Sequence, residues 1–144
     1  MKPIATSRQT LAVAVALATV ALAAIAWWVM RPGNTDDTAV LAARTVQAGA
    51  VEVTMTPLAL DASGAAFQVK LDTHGVELDL DMASSAHLRI DGSTVDGASW
   101  DGQGPGGHHR EGTLRFATPV PTGANVELRI AGLPTDATGS WTAP

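Results

Sequence analysis

The chain has 144 residues, a formal net charge of -5 and no cysteine. This length allows about one domain plus accessory segments. The lack of cysteine excludes disulfides, a lipoprotein anchor, thiolate zinc sites and copper sites that need a cysteine sulfur. An acidic chain without a basic patch also argues against nucleic-acid binding.

An apolar stretch at residues 11–30 is long enough to cross a membrane, because a helix of this length covers the roughly 30 Å hydrocarbon thickness of a bilayer. Lys2 and Arg8 precede it, so the positive-inside rule predicts that residues 1–10 are cytoplasmic and that the C-terminal part is periplasmic or extracellular. The alternative is a cleaved signal peptide ending near Ala24-Ile25-Ala26. The apolar stretch continues past that point, which favours a retained single-pass anchor.

Residues 31–47 mix polar and small residues without a clear period, and we expect a linker there. Residues 48–144 are predicted to form an extracytoplasmic domain. Alternating apolar and polar residues predict strands at 51–56, 67–72, 76–81, 87–91, 113–117 and 125–130, with shorter ones at 95–100 and near 140–141. Short strands separated by turn residues are typical of a sandwich. We therefore predict an all-β, immunoglobulin-like antiparallel β-sandwich preceded by one N-terminal transmembrane helix.

The glycine-rich stretch at residues 100–112 contains two adjacent histidines and is the predicted location of function. Imidazole is the commonest metal ligand, and Zn or Cu would need two or three imidazoles with a carboxylate. Arg110 would serve such a site as a charge partner. The predicted metal ligands are His74, His108, His109, Asp79 and Asp81.

The same residues also allow a structural interpretation. One histidine would pack under the loop and hydrogen-bond to the backbone, while the other would be solvated. The acidic residues at 77–81 could form a solvated strand face paired with an arginine. The histidines lack the HxH, HxxxH and HExxH spacings, the Met-rich segments of periplasmic copper carriers are missing, and no G-x-S-x-G motif indicates a catalytic serine.

Residues 73–81 and 106–116, with Trp100 between them, resemble a family of small exported prokaryotic proteins. Members of that family look like TH-x-V-x-LD-x-D and GGHHR-x-G-x-L-x-F, usually behind a signal or anchor, and this chain reads THGVELDLD and GGHHREGTLRF. The resemblance implies an exported β domain and no assigned activity. It singles out the same five residues, His74, Asp79, Asp81, His108 and His109, as one constellation.

Three hypotheses about function follow. The first is a membrane-anchored extracytoplasmic binding module, more a binding protein than an enzyme, that could take a divalent metal. The second is an envelope interaction or assembly module, in which the His-His-Arg stretch is structural and a sheet edge or loop end contacts another protein. The third is a metal-dependent hydrolase with an open coordination position. Convergence of the histidines with a carboxylate at metal-ligand distance would separate the first two.

Overall fold

The structure is a computed structural model that describes residues 41–144. Within this range the chain forms strands and one helical turn, α1. In chain order the elements are β1 (Arg44–Ala48), β2 (Val51–Asp61), β3 (Gly64–Thr73), α1 (Met82–Ser85), β4 (Ala86–Ile90), β5 (Ser93–Val95), β6 (Ser99–Gly102), β7 (His109–Phe116), β8 (Asn125–Ile130) and β9 (Ala137–Thr142).

The strands form two antiparallel sheets, one in the order β1-β2-β3-β7-β6 and the other in the order β5-β4-β8-β9. Residues from both sheets share one hydrophobic core. Within this core the rings of Phe67, from the first sheet, and Trp141, from the second, lie 5.3 Å apart between centroids. The predicted all-β class is confirmed, and the two sheets enclosing one core give a sandwich-like arrangement.

The alternation of apolar and polar residues in the sequence matches the alternation of buried and exposed side chains in the strands. In β2 the side chains of Val51, Val53 and Met55 are fully buried, whereas Glu52 between them is exposed. The strand predicted at 125–130 coincides with β8, and the one predicted at 87–91 overlaps β4. A two-residue turn follows β4, in which residues 91 and 92 both have positive φ, as a hairpin turn of this length requires.

The strand predicted at residues 76–81 is wrong. Leu78 is buried, as the alternation indicated, but its backbone pairs with a loop instead of a strand. Its amide donates to the Gly107 carbonyl at 3.0 Å, and its carbonyl accepts from the Gly106 amide at 2.9 Å. The segment then turns into α1, which the sequence pattern did not indicate because a single helical turn is too short to show a period.

Several strand ends also differ from the predicted ones. β1 starts at Arg44, inside the stretch assigned to a linker, and pairs with β2, so the sheet begins earlier than expected. β2 continues through Pro57, where a bulge lets the strand accommodate a residue without an amide hydrogen. The piece predicted at 95–100 is divided between β5 and β6, which belong to different sheets.

No helix within residues 41–144 is long and apolar enough to cross a membrane. The predicted cytoplasmic segment at 1–10 and the predicted anchor at 11–30 lie outside the described residues.

Candidate functional site

The histidine loop, which we define as residues 103–108 between β6 and β7, is held by backbone hydrogen bonds to the last residue of β3 and to the chain that follows it. Besides the two bonds of Leu78, the Thr73 amide donates to the His108 carbonyl at 2.9 Å. The loop therefore continues the β3–β7 pairing beyond the end of the sheet. Its glycines at 106 and 107 both have positive φ, which is the conformation that favours glycine.

Arg110 is the largest fully buried side chain of the described residues and is 1% exposed. Its Nη1 donates to the carbonyl oxygens of Leu78 at 3.0 Å and Leu80 at 2.6 Å, and its Nη2 donates to the carbonyl oxygen of Gln103 at 3.1 Å. We call this guanidinium and its three carbonyl acceptors the Arg110 latch. It joins the segment before α1 to the histidine loop.

The latch holds a positive charge away from solvent. Burial lowers the pKa of Arg110, and the negative charges of Asp81 and Asp79 oppose that effect. Arginine stays protonated in proteins even so, and hydrogen bonds to a charged group are stronger than neutral ones. The latch is thus a set of charge-assisted hydrogen bonds, with two exposed carboxylates on the neighbouring segment as counter-charges.

Gln103 completes the latch from the loop side. Its carbonyl oxygen also accepts from Nε1 of Trp100 at 2.9 Å. Its side-chain Oε1 accepts from the Glu111 amide at 2.9 Å, and its own amide donates to the Glu111 carbonyl at 3.1 Å. The start of the loop is therefore fixed to both β6 and β7.

Two glycines make room for the Trp100 ring. Gly102 and Gly112 face each other across β6 and β7. A Cβ atom on Gly102 would come within 2.7 Å of Cζ2 of Trp100, and one on Gly112 within 2.6 Å of the same atom. Side chains at either position would overlap the backbone of the facing strand as well as the indole, which lies beside the guanidinium of Arg110.

Asp81, a predicted metal ligand, caps the helical turn α1. Its Oδ1 accepts from the Ser84 amide at 2.8 Å and from the Ser84 hydroxyl at 2.7 Å. These hydrogen bonds hold the pKa of Asp81 below its usual range. The carboxylate therefore has a local structural role that accounts for its position.

His109, another predicted ligand, pairs with Asp72 on the exposed side of β3 and β7. Its Nδ1 lies 2.5 Å from Oδ1 of Asp72, and Nζ of Lys70 lies 3.5 Å from the other carboxylate oxygen. The pKa of Asp72 is lowered, chiefly by the hydrogen bond with His109 and to a smaller extent by the charge of Lys70. This cross-strand pair is the closest association of a predicted ligand with a carboxylate.

The other three predicted ligands, His74, His108 and Asp79, are exposed. Within residues 41–144, no group of three or more histidine, aspartate or glutamate side chains is arranged to hold a metal ion. The structure thus places His109 beside Asp72, uses Asp81 as a helix cap, and does not gather the five predicted residues around one point.

The sequence interpretation assigned Arg110 as a charge partner of a metal site, and the structure shows it bound to backbone carbonyls. A signal for this was present. Extending the alternation of Leu114 and Phe116 backwards puts Gly112 and Arg110 on the same inward face of the strand. The structural role of Gln103, by contrast, depends on the path of the loop and has no sequence signal.

No protein-family model matches the chain, and comparisons with curated proteins and with solved structures give no significant match. The resemblance of the two sequence segments to a family of exported proteins therefore stays a prediction.

Proposed function

We propose that this chain is an extracytoplasmic interaction module, anchored in the membrane by residues 11–30, that presents a preformed surface to another protein of the cell envelope. In this proposal the His-His-Arg stretch is structural. The observation that carries it is the Arg110 latch, in which one buried guanidinium binds three backbone carbonyls from two separate segments.

The latch supports an interaction role because it fixes backbone that carries exposed side chains. Four exposed side chains lie on the two segments that the latch joins. His74, Glu77 and Asp79 are on the segment before α1, and His108 is in the histidine loop. Ordering such side chains on binding costs less when their backbone is already held in place. A loop end of this kind suits contact with a partner protein.

The immunoglobulin-like type enters the proposal only as a two-sheet architecture. In the constant-type immunoglobulin order the second strand lies between the first and the fifth. Here β2 lies between β1 and β3. In this proposal the domain is immunoglobulin-like in having two packed sheets and not in its strand order. The loops at the ends of the sandwich are available for recognition.

A divalent-metal site is the competing proposal, with Zn or Cu bound by His74, His108, His109 and Asp79 or Asp81. The pairing of His109 with Asp72 favours it, because a metal-binding imidazole commonly has its other ring nitrogen hydrogen-bonded to a carboxylate. Nε2 of His109 would then be the ligand atom. The latch does not require a metal, which is why the interaction role is preferred.

Site-specific photo-cross-linking in cells of the source organism tests the interaction role. In one variant a photoreactive residue replaces His108 in the histidine loop, which precedes β7. In the control variant it replaces Thr122, an exposed residue in the loop that follows β7, at the opposite end of that strand. We expect a discrete cross-linked product from position 108 and none from position 122, with or without a chelator. Equal products from both positions, or none from position 108, would contradict the proposal, and loss of the product with chelator would favour the metal site.

A further inference from the structure

A groove lies at the end of β3 and β7 that is far from the latch. Its volume is about 380 Å³, within the range of ligand sites in proteins, and its lining includes Ala59, Gly64, Ala66, Ser99, Arg115 and Ala117. At 3.3 Å per residue, about 23 Å of strand separates Ala65 at this end from Asp72 at the other. We call it the Arg115 groove. It is distinct from the surface proposed above.

The groove is lined mainly by small residues. Ala66, Arg115 and Ser99 form a cross-strand row over β3, β7 and β6, so the only long side chain in that row is the arginine. Gly64 shapes one wall, since a Cβ there would come within 2.2 Å of the Phe116 carbonyl oxygen. The β2–β3 hairpin can therefore approach the end of β7 closely. The small side chains around it leave an open depression beside the guanidinium of Arg115.

Arg115 differs from the other arginines within residues 41–144. Arg44 and Arg89 donate to backbone carbonyls, Arg129 pairs with Asp136, and Arg110 forms the latch. In that same part of the chain, no side-chain hydrogen bond or ion pair of Arg115 is found. An exposed cation beside small apolar walls is complementary to a carboxylate with small neighbours.

Asp101, a diagonal neighbour on this face of the sheet, does not neutralise Arg115. Asp101 is opposite Thr113, diagonal to Arg115, at a separation of roughly 7–8 Å for such neighbours. No ion pair joins the two side chains, although the described domain carries more acidic than basic residues. The guanidinium is therefore available for a bidentate contact with a carboxylate from outside.

We infer that the Arg115 groove binds an extended segment of a partner protein, in which an aspartate or glutamate contacts Arg115 and small side chains fill the groove. The identity of the partner as an envelope protein rests on the proposed function. The chemistry of the segment rests on the groove alone.

The test is a titration of the full chain in detergent micelles with N-acetyl-Ala-Ala-Glu-Ala-amide, followed by NMR of ¹³C-labelled alanine methyl groups. We expect saturable shifts at Ala59, Ala66 and Ala117. Replacing the glutamate of the peptide by glutamine, or Arg115→Gln in the protein, is expected to weaken binding at least about tenfold. Arg89→Gln, an exposed arginine on the other sheet, is the matched control and should leave the shifts unchanged.

Shifts of equal size with the glutamine peptide, retention of binding in Arg115→Gln, or no shift at millimolar peptide would each overturn the inference. None of these outcomes affects cross-linking from position 108, which reports on the other end of the strands. Conversely, peptide binding without any cross-linked product would contradict the proposed envelope partner, while the assignment of the Arg115 groove as a binding site for an acidic segment would stand.

Discussion

The guanidinium carbon of Arg110 lies 5.9 Å from the centroid of the Trp100 ring, and both side chains donate a hydrogen bond to the carbonyl oxygen of Gln103. An arginine near an aromatic ring gains additional electrostatic attraction. The pair makes the start of the histidine loop a fixed point, because a carbonyl that accepts from two side chains on two strands cannot move without breaking both bonds.

Replacing Arg110 by methionine should destabilise the fold strongly. The carbonyl of Leu80 loses its hydrogen-bond donor, whereas those of Leu78 and Gln103 keep the Gly106 amide and the Trp100 indole as donors. We therefore expect the free energy of unfolding to fall by about 2 kcal/mol. Arg115→Met removes the same groups at an exposed position and should change it by less than about 0.5 kcal/mol. Urea unfolding followed by tryptophan fluorescence measures both. Equal stability of the two variants would show that the latch contributes little.

Gly112→Ala should also destabilise the fold, by about 1–3 kcal/mol, since its methyl group would come within 2.6 Å of both Cα of Gly102 and Cζ2 of Trp100, and within 2.7 Å of the Asp101 carbonyl oxygen. Gly104→Ala is the matched control, because a Cβ atom there has no neighbour within 4 Å. In a Trp100→Ala background the cost of Gly112→Ala should shrink only in part, because the overlap with the backbone of Gly102 and Asp101 remains. An unchanged cost in that background would mean that the backbone of β6, and not the indole, requires glycine.

The Asp72–His109 pair should make stability depend on pH in the acid range. The pKa of Asp72 is below its ordinary value of 3.8 in the folded chain, so its carboxylate stabilises the fold above that value and the contribution is lost as the pH falls through the folded pKa. The difference in unfolding free energy between wild type and Asp72→Asn should therefore be present at about pH 5 and shrink towards pH 3. Urea midpoints across this range measure it.

A variant at His109 provides the control for that pair. His109→Gln removes the main cause of the shift, so the pKa of Asp72, read from its carboxyl ¹³C signal, should rise towards the ordinary value. An unchanged titration in His109→Gln would mean that the hydrogen bond does not set the pKa. A stability difference that grows on acidification would reverse the sign of the effect and contradict it.

Asp81→Ala should lower the melting temperature because the amide and hydroxyl of Ser84 lose their acceptor. Asp81→Asn keeps an oxygen that can accept and should lie closer to wild type. The expected loss is smaller than that of Arg110→Met. If Asp81 acted as a metal ligand instead, the difference between Asn and Ala would appear only in the presence of metal.

Sequence reasoning predicted the sheets better than the loop. β2, β3, β4 and β8 followed from alternation because each has one face towards the shared core. The stretch at 76–81 also alternates between apolar and polar residues, but its backbone is hydrogen-bonded to a glycine-rich loop. Alternation indicates which side chains are buried and does not indicate whether the neighbouring segment is a strand.

The candidate site was harder to predict because histidine and aspartate have several uses. Adjacent histidines suggested co-ligation, whereas the start of β7 at His109 directs that side chain to the exposed face and Arg110 to the core. Asp81 lies three residues before Ser84, a spacing that also fits a helix cap. Sequence spacing could not separate these roles, since each depends on where the next element begins.

Amide hydrogen exchange at Leu78, in the full chain in detergent, tests the central claim most directly. The claim is that Arg110, and not the histidines, holds the histidine loop to the segment before α1. In Arg110→Met the Leu78 amide should exchange at least about tenfold faster, because local opening no longer requires the hydrogen bonds of the latch to break and so costs less free energy. In His108→Ala/His109→Ala its exchange should stay within about twofold of wild type, with or without Zn(II). Unchanged exchange in Arg110→Met, or slowing by Zn(II) in the wild type that disappears in the double variant, would contradict the account.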